Sequence, residues 1–168
     1  LYCRLLERAV RELKGERVRD PLDVTIAFDW GASLPSSYVP DEPVKLELYR
    51  RIARARDERE IDSLAAEMRD RLGPLPVQAE RFLAEARLRL LAQRAGTSYI
   101  GRELGRSRGR LVFKMRDPEF RKIERALAGL PGNFSVTGPE GFAVHLPASA
   151  LSNEKLEETT AKILRRLA

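Results

Sequence analysis

Three charged side chains on one predicted helix are the first candidates for chemistry in this 168-residue sequence. Glu67 and Asp70 lie three residues apart, and Arg71 follows Glu67 by four, so all three project from one flank of the helix. Two carboxylates close together suggest an acid and base pair. Arg71, however, stands at the spacing that forms an ion pair with Glu67, and the sequence favours that pairing over catalysis.

His145 and Cys3 are each the only residue of their type. His145 falls on a predicted strand, and no second histidine or cysteine is available to build a catalytic triad or a metal cluster with it. A single cysteine forms no internal disulfide. The sequence also lacks a glycine-rich loop ending in Lys-Ser or Lys-Thr that would bind nucleotide phosphates. We therefore predict no catalytic residue, no metal and no cofactor, which argues against an independent hydrolase.

A basic cluster between positions 101 and 116 is the best candidate for a polyanion contact, with six basic residues and one acidic residue. Arginines on a loop between strands neutralise phosphates without reading base sequence, and such binding weakens steeply with salt. The alternative is a solvated hairpin loop, because no aromatic residue interleaves the arginines as a base-stacking platform requires. Any DNA binding is expected to be weak. The candidate contacts are Arg102, Arg106, Arg108 and Arg110.

Composition restricts the class of protein to which these residues belong. The chain is 43% hydrophobic and 33% charged, with a formal net charge of +6, as in a soluble globular protein of one domain, or of a domain with a small annex. No apolar run is long enough to cross a membrane, and a cytoplasmic location fits. The sequence opens within an apparent helix, so residues 1–15 are expected to continue from a preceding domain of a longer chain.

The helix that carries Glu67 has both of its ends marked in the sequence. Asp57 is placed to cap the start and Glu60 to complete a capping box, while Gly73 and Pro74 stop the helix. An apolar stripe is expected to face the core. Six acidic and three basic residues between 57 and 76 give this stretch a local charge of −3 within a basic chain. The members of the stripe are Ile61, Leu64, Ala65, Met68 and Leu72.

Two further helices are expected on either side of this one, giving a helical part at about 41–96. The first begins at Asp41 or Glu42 and forms a tight hairpin with the acidic helix, with opposite charges on neighbouring surfaces. Its predicted inner face is Leu46, Tyr49, Ile52 and Ala53. The second, from about 76 to 95, carries two apolar rows and is expected to be the central core helix.

The remaining segments predict short strands split by helices. A strand at 22–28 is followed by an ordered crossing at 29–42, anchored by Trp30, Tyr38 and Val39. The pattern indicates an α+β fold, with helices packed around a small, mainly antiparallel sheet. The strand-rich part spans about 97–150, and its expected elements are strands at 98–104 and 111–115, a helix at 118–130, a hairpin pairing 134–136 with 142–146, and a final helix at about 152–167.

Several of these motifs together resemble one known family. They are Tyr38–Asp41, Lys45–Ala53, Asp70–Pro76 and Leu88–Gln93. In combination they are similar to the C-terminal domain of the bacterial transcription-repair coupling factor. The resemblance is strong over residues 1–96 and looser beyond.

This resemblance implies a regulatory domain, at 16–168, without chemistry of its own. The parent protein of the family is an ATP-dependent DNA translocase of transcription-coupled nucleotide excision repair, which removes stalled RNA polymerase and recruits UvrA. Its C-terminal domain folds onto a UvrB-like N-terminal module and masks the UvrA-binding surface there. The matching contacts here are Glu67, Asp70 and Arg71, which implies an autoinhibitory latch. A nucleic-acid-binding module that uses residues 101–116 is the alternative.

Overall fold

Residues 22–168 are described by the computed structural model, and this part of the chain forms five α-helices and five β-strands. The predicted helix within residues 1–15 and Cys3 lie outside the described residues. A short 3₁₀ helix, Ala148–Leu151, precedes the final α-helix. The helices are α1 (Glu42–Arg54), α2 (Glu58–Leu72), α3 (Val77–Arg94), α4 (Phe120–Leu127) and α5 (Leu156–Leu167), and the strands are β1 (Thr25–Ala27), β2 (Thr97–Leu104), β3 (Arg108–Met115), β4 (Asn133–Val136) and β5 (Gly141–Pro147).

The strands form one sheet in the order β1-β2-β3-β5-β4. β1 is parallel to β2, and the other three pairings are antiparallel. The predicted α+β class with a mainly antiparallel sheet is confirmed. The predicted hairpin is confirmed too, because Phe134 pairs with Val144 and Val136 with Phe142.

One face of the sheet packs against helices, and the alternation along β3 shows which face it is. Leu111 and Phe113 are fully buried in a core to which α3, α4 and α5 also contribute. The residues between them point the other way, because side chains alternate along a strand. Arg110 and Val112 are accordingly half-buried and Lys114 is exposed.

α3 lies between two hydrophobic cores, as its two apolar rows predict. Leu88 and Leu91 join the sheet core with α4 and α5. Leu83 and Ala86 join a second core, formed with α1 and α2. The helix is therefore the element that holds the helical part to the strand-rich part.

The predicted inner face of α1 is partly wrong. Ile52 is buried as expected and Tyr49 is half-buried, but Leu46 is 50% exposed and Ala53 is exposed. Leu48 is buried instead. Residues 48 and 52 are about one helical turn apart, which centres the buried face between them and places position 46 about 140° around the helix from that centre, toward solvent.

Element boundaries differ from the predicted ones near the turns. β1 is shorter than the predicted 22–28 strand, although Val24 and Phe28 are buried as the alternation required. α4 is shorter than 118–130, and α5 begins at Leu156 because the 3₁₀ helix and a turn occupy residues 148–155. β3 begins three residues earlier than expected, at Arg108.

Candidate functional site

The flank of α2 is positioned by the local signals read from the sequence. Asp57 Oδ1 accepts a hydrogen bond from the backbone N–H of Glu60 at 2.9 Å. Glu60 Oε2 in turn accepts a hydrogen bond from the backbone N–H of Arg56 at 2.9 Å. A capping box would use the N–H of Asp57, so the reciprocal bond is made one residue earlier than predicted. Gly73 ends the helix at a φ of 88°, a conformation that favours glycine. The helix ends are thereby fixed on both sides of Glu67.

Glu67 lies at the centre of a three-residue ion-pair cluster. Arg71 Nη1 donates to Glu67 Oε1 at 2.9 Å, which is the contact that the spacing predicts. Arg51 of α1 adds a bidentate pair, at 2.9 Å to Oε1 and 2.6 Å to Oε2. Arg51 is absent from the predicted site residues, although the expected opposite charges across the α1–α2 hairpin pointed to a contact of this kind.

The two arginines change the protonation of Glu67. Hydrogen bonds from Arg51 first, and then from Arg71, lower the pKa of Glu67 to about 2. Asp70 lies on the next turn of the helix and is exposed; within residues 22–168 no ion pair of Asp70 is found. The flank therefore presents one carboxylate that arginines hold in place and one that faces solvent.

The low pKa of Glu67 predicts an acid-dependent loss of stability. Because the folded-state pKa is depressed, the stabilisation is present above the unfolded pKa, near 4.5, and is lost as pH falls toward about 2. Glu67→Gln should show a weaker fall in its urea midpoint between pH 6 and pH 2.5 than the unchanged chain. Asp70→Asn, on the same helix, is the control and should retain the full fall. Equal pH profiles for Glu67→Gln and the unchanged chain would contradict the assignment.

The basic cluster lies on the β2–β3 hairpin, and much of it is strand. The N–H of Gly105 donates to the carbonyl of Arg108 at 2.8 Å, which closes the turn. Arg108 and Arg110 therefore lie on β3, whereas the sequence predicted a loop around Arg108. Arg106 and Arg108 are both exposed.

Arg102 lies apart from the other three arginines. Its register partner is Leu111, which places it on the helix-packed face of the sheet. Its guanidinium donates to the carbonyl of Leu151 at 3.1 Å, to Asn153 Oδ1 at 2.6 Å and to the carbonyl of Asp29 at 2.9 Å. Burial lowers the pKa of Arg102, and these three acceptors engage it inside the domain.

Arg110 is paired across the hairpin. It stands directly opposite Glu103, and its Nε donates to Glu103 Oε2 at 2.7 Å. The structure thus brings together Arg106, Arg108 and Arg110 at one end of the sheet and separates Arg102 from them. A polyanion contact at this end remains a prediction.

A buried tryptophan anchors the segment between β1 and α1. Trp30 is 4% exposed, and its Nε1 donates to Glu85 Oε1 of α3 at 2.7 Å. Arg81, one turn earlier on α3, donates to the carbonyl of Trp30. Burial raises the pKa of Glu85, while the hydrogen bond from Trp30 opposes that rise. Trp30 and Val39 are buried as the predicted anchors require, and the Tyr38 hydroxyl donates to the carbonyl of Gly73 at 2.9 Å.

His145 Nε2 lies 2.8 Å from the Ser135 hydroxyl on the neighbouring strand. Within residues 22–168, no three histidine, cysteine, aspartate or glutamate side chains lie close enough to hold a metal ion. None of the helices in that range is long and apolar enough to cross a membrane.

Comparison with known families shows that one family model covers both candidate regions, the flank of α2 and the β2–β3 hairpin. A family model of the TRCF domain matches residues 28–124, which is more than half of the chain. The chain belongs to the TRCF domain family. The match includes α2 with Glu67, Asp70 and Arg71 and also the β2–β3 hairpin.

Relatives of this TRCF domain include the transcription-repair-coupling factors of Mycobacterium bovis and Escherichia coli, each 38% identical over 111 residues. The alignments cover 60% of this chain and 9% of the first protein, and 62% of this chain and 10% of the second. The protein from Staphylococcus haemolyticus is 30% identical over 102 residues, covering 60% of this chain and 9% of that protein. The chain thus spans about a tenth of the length of these relatives.

The fold of this TRCF domain also matches a solved structure. The crystal structure of the C-terminal domain of a transcription-repair coupling factor superposes with a TM-score of 0.75, covering 89% of this chain and 94% of that one. Its sequence identity is 14%, so this match speaks for the fold alone. The family resemblance that the sequence motifs carry is confirmed by the family model and the relatives.

Proposed function

We propose that this TRCF domain is a non-catalytic regulatory domain of a transcription-repair coupling factor. In that role it docks on a UvrB-like N-terminal module of the same polypeptide and masks the UvrA-binding surface there. The parent protein would be an ATP-dependent DNA translocase that acts on stalled RNA polymerase and recruits UvrA. The observation that carries the proposal is the ordered charged flank of α2, within a chain that belongs to the TRCF family.

The flank is suited to docking because its charges are held in fixed positions. Glu67 binds Arg51 and Arg71 at once, and the side chains of these arginines remain 40% and 58% exposed. Each guanidinium therefore still has a surface that another domain can contact. Asp70 adds an exposed carboxylate on the following turn. Fixed charges lose little side-chain entropy when a partner binds them, which favours specific pairing.

The expected interface is modest and reversible. Interfaces between domains of one chain typically bury roughly 600 to 1,500 Å² and are more polar than permanent ones. An exposed ion pair contributes at most about 1 kcal/mol, whereas like charges facing each other cost up to several kcal/mol. A latch built on such contacts is closed by several weak pairs and opens when a competing partner binds.

Asp70 is the residue of the α2 flank whose substitution tests docking most directly. Substitution of Glu67 also releases Arg51 and Arg71 inside the domain, so its effect mixes folding with docking. Asp70→Arg reverses one exposed charge and leaves that cluster intact. In the full-length protein we expect it to raise UvrA affinity about tenfold, which corresponds to roughly 1.4 kcal/mol of lost docking. The dissociation constant for UvrA, measured by titration calorimetry, provides the test.

The control is Glu124→Arg, at an exposed position on α4, remote in sequence from the α2 flank. It makes the same change in net charge and should leave UvrA affinity unchanged. The combined replacement of Glu67, Asp70 and Arg71 should raise affinity further, with the fold confirmed by circular dichroism. Unchanged UvrA affinity in both flank variants, with the domain folded, would rule the latch out.

A further inference from the structure

The central strand β3 presents basic side chains on the face of the sheet opposite the helices. Arg108, Arg110 and Lys114 alternate with the buried Leu111 and Phe113. Arg108 and Lys114 are six residues apart on the strand, so their Cα atoms lie about 20 Å apart, with Arg110 between them. Glu103 is the only acidic residue between positions 97 and 116, and it is paired with Arg110. Arg108 and Lys114 therefore give this face of β3 two exposed cations besides the paired Arg110.

An aromatic ring lies beside these cations, on the neighbouring strand. Tyr99 of β2 stands directly opposite Lys114, and Lys114 Nζ lies 5.4 Å from the centre of the Tyr99 ring. The ring is folded over Gly101, where a Cβ would come within 2.6 Å of the Tyr99 hydroxyl oxygen and 2.9 Å of the nearest ring carbon. Glycine at 101 therefore lets the ring lie flat on the sheet. No aromatic residue lies between Arg102 and Arg110 in the sequence, but strand pairing places Tyr99 beside the basic side chains of β3.

Small residues form the floor between the basic and aromatic side chains. The row that crosses the sheet beside Tyr99 and Lys114 is Ala27, Gly101, Val112 and Ala143, in register from β1 to β5. Gly101 and Ala143 are buried, the first beneath the Tyr99 ring, and Val112 is half-buried, so this row is low and the longer side chains of Tyr99, Arg110 and Lys114 rise around it. Tyr99 itself is half-buried, so a base would contact the exposed part of its ring while the sugar-phosphate backbone follows β3.

We propose that this sheet face binds single-stranded nucleic acid. Arg106, Arg108 and Lys114 neutralise phosphates, and the Tyr99 ring stacks on an unpaired base. Cations that follow the backbone, combined with an aromatic platform, give binding that depends strongly on salt and tolerates sequence. A duplex keeps its bases stacked internally, so it would use the cations alone. This site is on the sheet and is independent of the latch on α2.

Fluorescence anisotropy with labelled oligo(dT) and oligo(U) tests the site on the 168-residue chain. We expect binding at low salt, with log K falling linearly against log salt concentration. Arg108→Glu with Lys114→Glu should weaken binding at least about tenfold and reduce the salt slope by about 1.4, the value for two lost phosphate contacts on a single strand. The control pair Arg121→Glu with Arg125→Glu also lowers the formal charge from +6 to +2, since each exchange removes two charges. It should retain most of the affinity.

Two substitutions of Tyr99 test the stacking of a base on its ring separately. Tyr99→Ala should weaken single-strand binding about tenfold, whereas Tyr99→Phe keeps the ring and should bind as the unchanged chain does. Binding of a duplex hairpin should be insensitive to both. No binding of either oligonucleotide at the lowest salt would overturn the proposal, as would equal losses in the two charge-reversed pairs. Unchanged single-strand affinity in a folded Tyr99→Ala variant would also overturn it.

Discussion

Replacing Trp30 with alanine is expected to lower the free energy of unfolding by about 3 to 5 kcal/mol. The indole is 4% exposed and packs edge-on against Phe28, with ring centres 5.4 Å apart. It also donates the hydrogen bond that Glu85 accepts at 2.7 Å. The substitution therefore leaves a cavity and a half-buried carboxylate without its donor. Urea denaturation followed by circular dichroism measures the loss, and a loss below about 1 kcal/mol would contradict this assignment.

Two variants separate the packing of Trp30 from its hydrogen bond. Trp30→Phe keeps an aromatic ring near Phe28 but removes the donor, and we expect it to cost about 1 to 3 kcal/mol. Glu85→Gln keeps an acceptor oxygen for the indole and removes the carboxylate charge. Because burial raises the pKa of Glu85, the contribution of this group is present at low pH and lost as pH rises through its folded-state pKa. Glu85→Gln should therefore lower the free energy of unfolding only slightly at pH 7. The effect of this substitution on stability should change with pH in the opposite direction to that of Glu67→Gln.

Replacing Phe113 with alanine is the second large effect that we expect, again about 3 to 5 kcal/mol. Phe113 is 0% exposed on the central strand, and its ring stacks on Phe142 with centres 4.9 Å apart and planes 9° apart. Its loss removes contacts at the middle of the sheet core, where neighbouring strands hold the backbone in place and restrict collapse around the cavity. Thermal and urea denaturation should both report the change.

Val112 provides the matched control for Phe113, one residue away on the same strand. It points to the opposite face of the sheet and is half-buried there. Val112→Ala should cost about 1 kcal/mol, because two partly exposed methyl groups are removed. Comparable losses at the two positions would contradict the assignment of the helix-packed face.

Features that depend on neighbours along the chain could be predicted from the sequence. The capped ends of α2 and its Glu67–Arg71 pair follow from spacing within one helix. The two rows of α3 follow from the 3.6-residue period, and each row faces one core. The same reasoning misplaces Leu46, because the period of α1 allows more than one buried face and only its packing against α2 and α3 selects between them.

Features that depend on which segments meet could not be predicted in this way. The pairing of Arg51 with Glu67 depends on how closely α1 and α2 approach, and Tyr99 meets Lys114 only through the register of β2 and β3. Arg102 belongs by sequence to the basic cluster, but strand alternation sends it to the other side of the sheet. A single shift in strand register would exchange these faces, and composition carries no information about register.

The parallel pairing of β1 with β2 has a consequence for how the chain folds. Ile26 pairs with Ile100, so 73 residues, with all of α1, α2 and α3 among them, lie between the two partners. Closing so long a loop is entropically unfavourable until the intervening helices have condensed and shortened the distance. β1 is therefore expected to join the sheet late in folding. During synthesis β1 leaves the ribosome before β2 has been translated, so β1 stays unpaired until then.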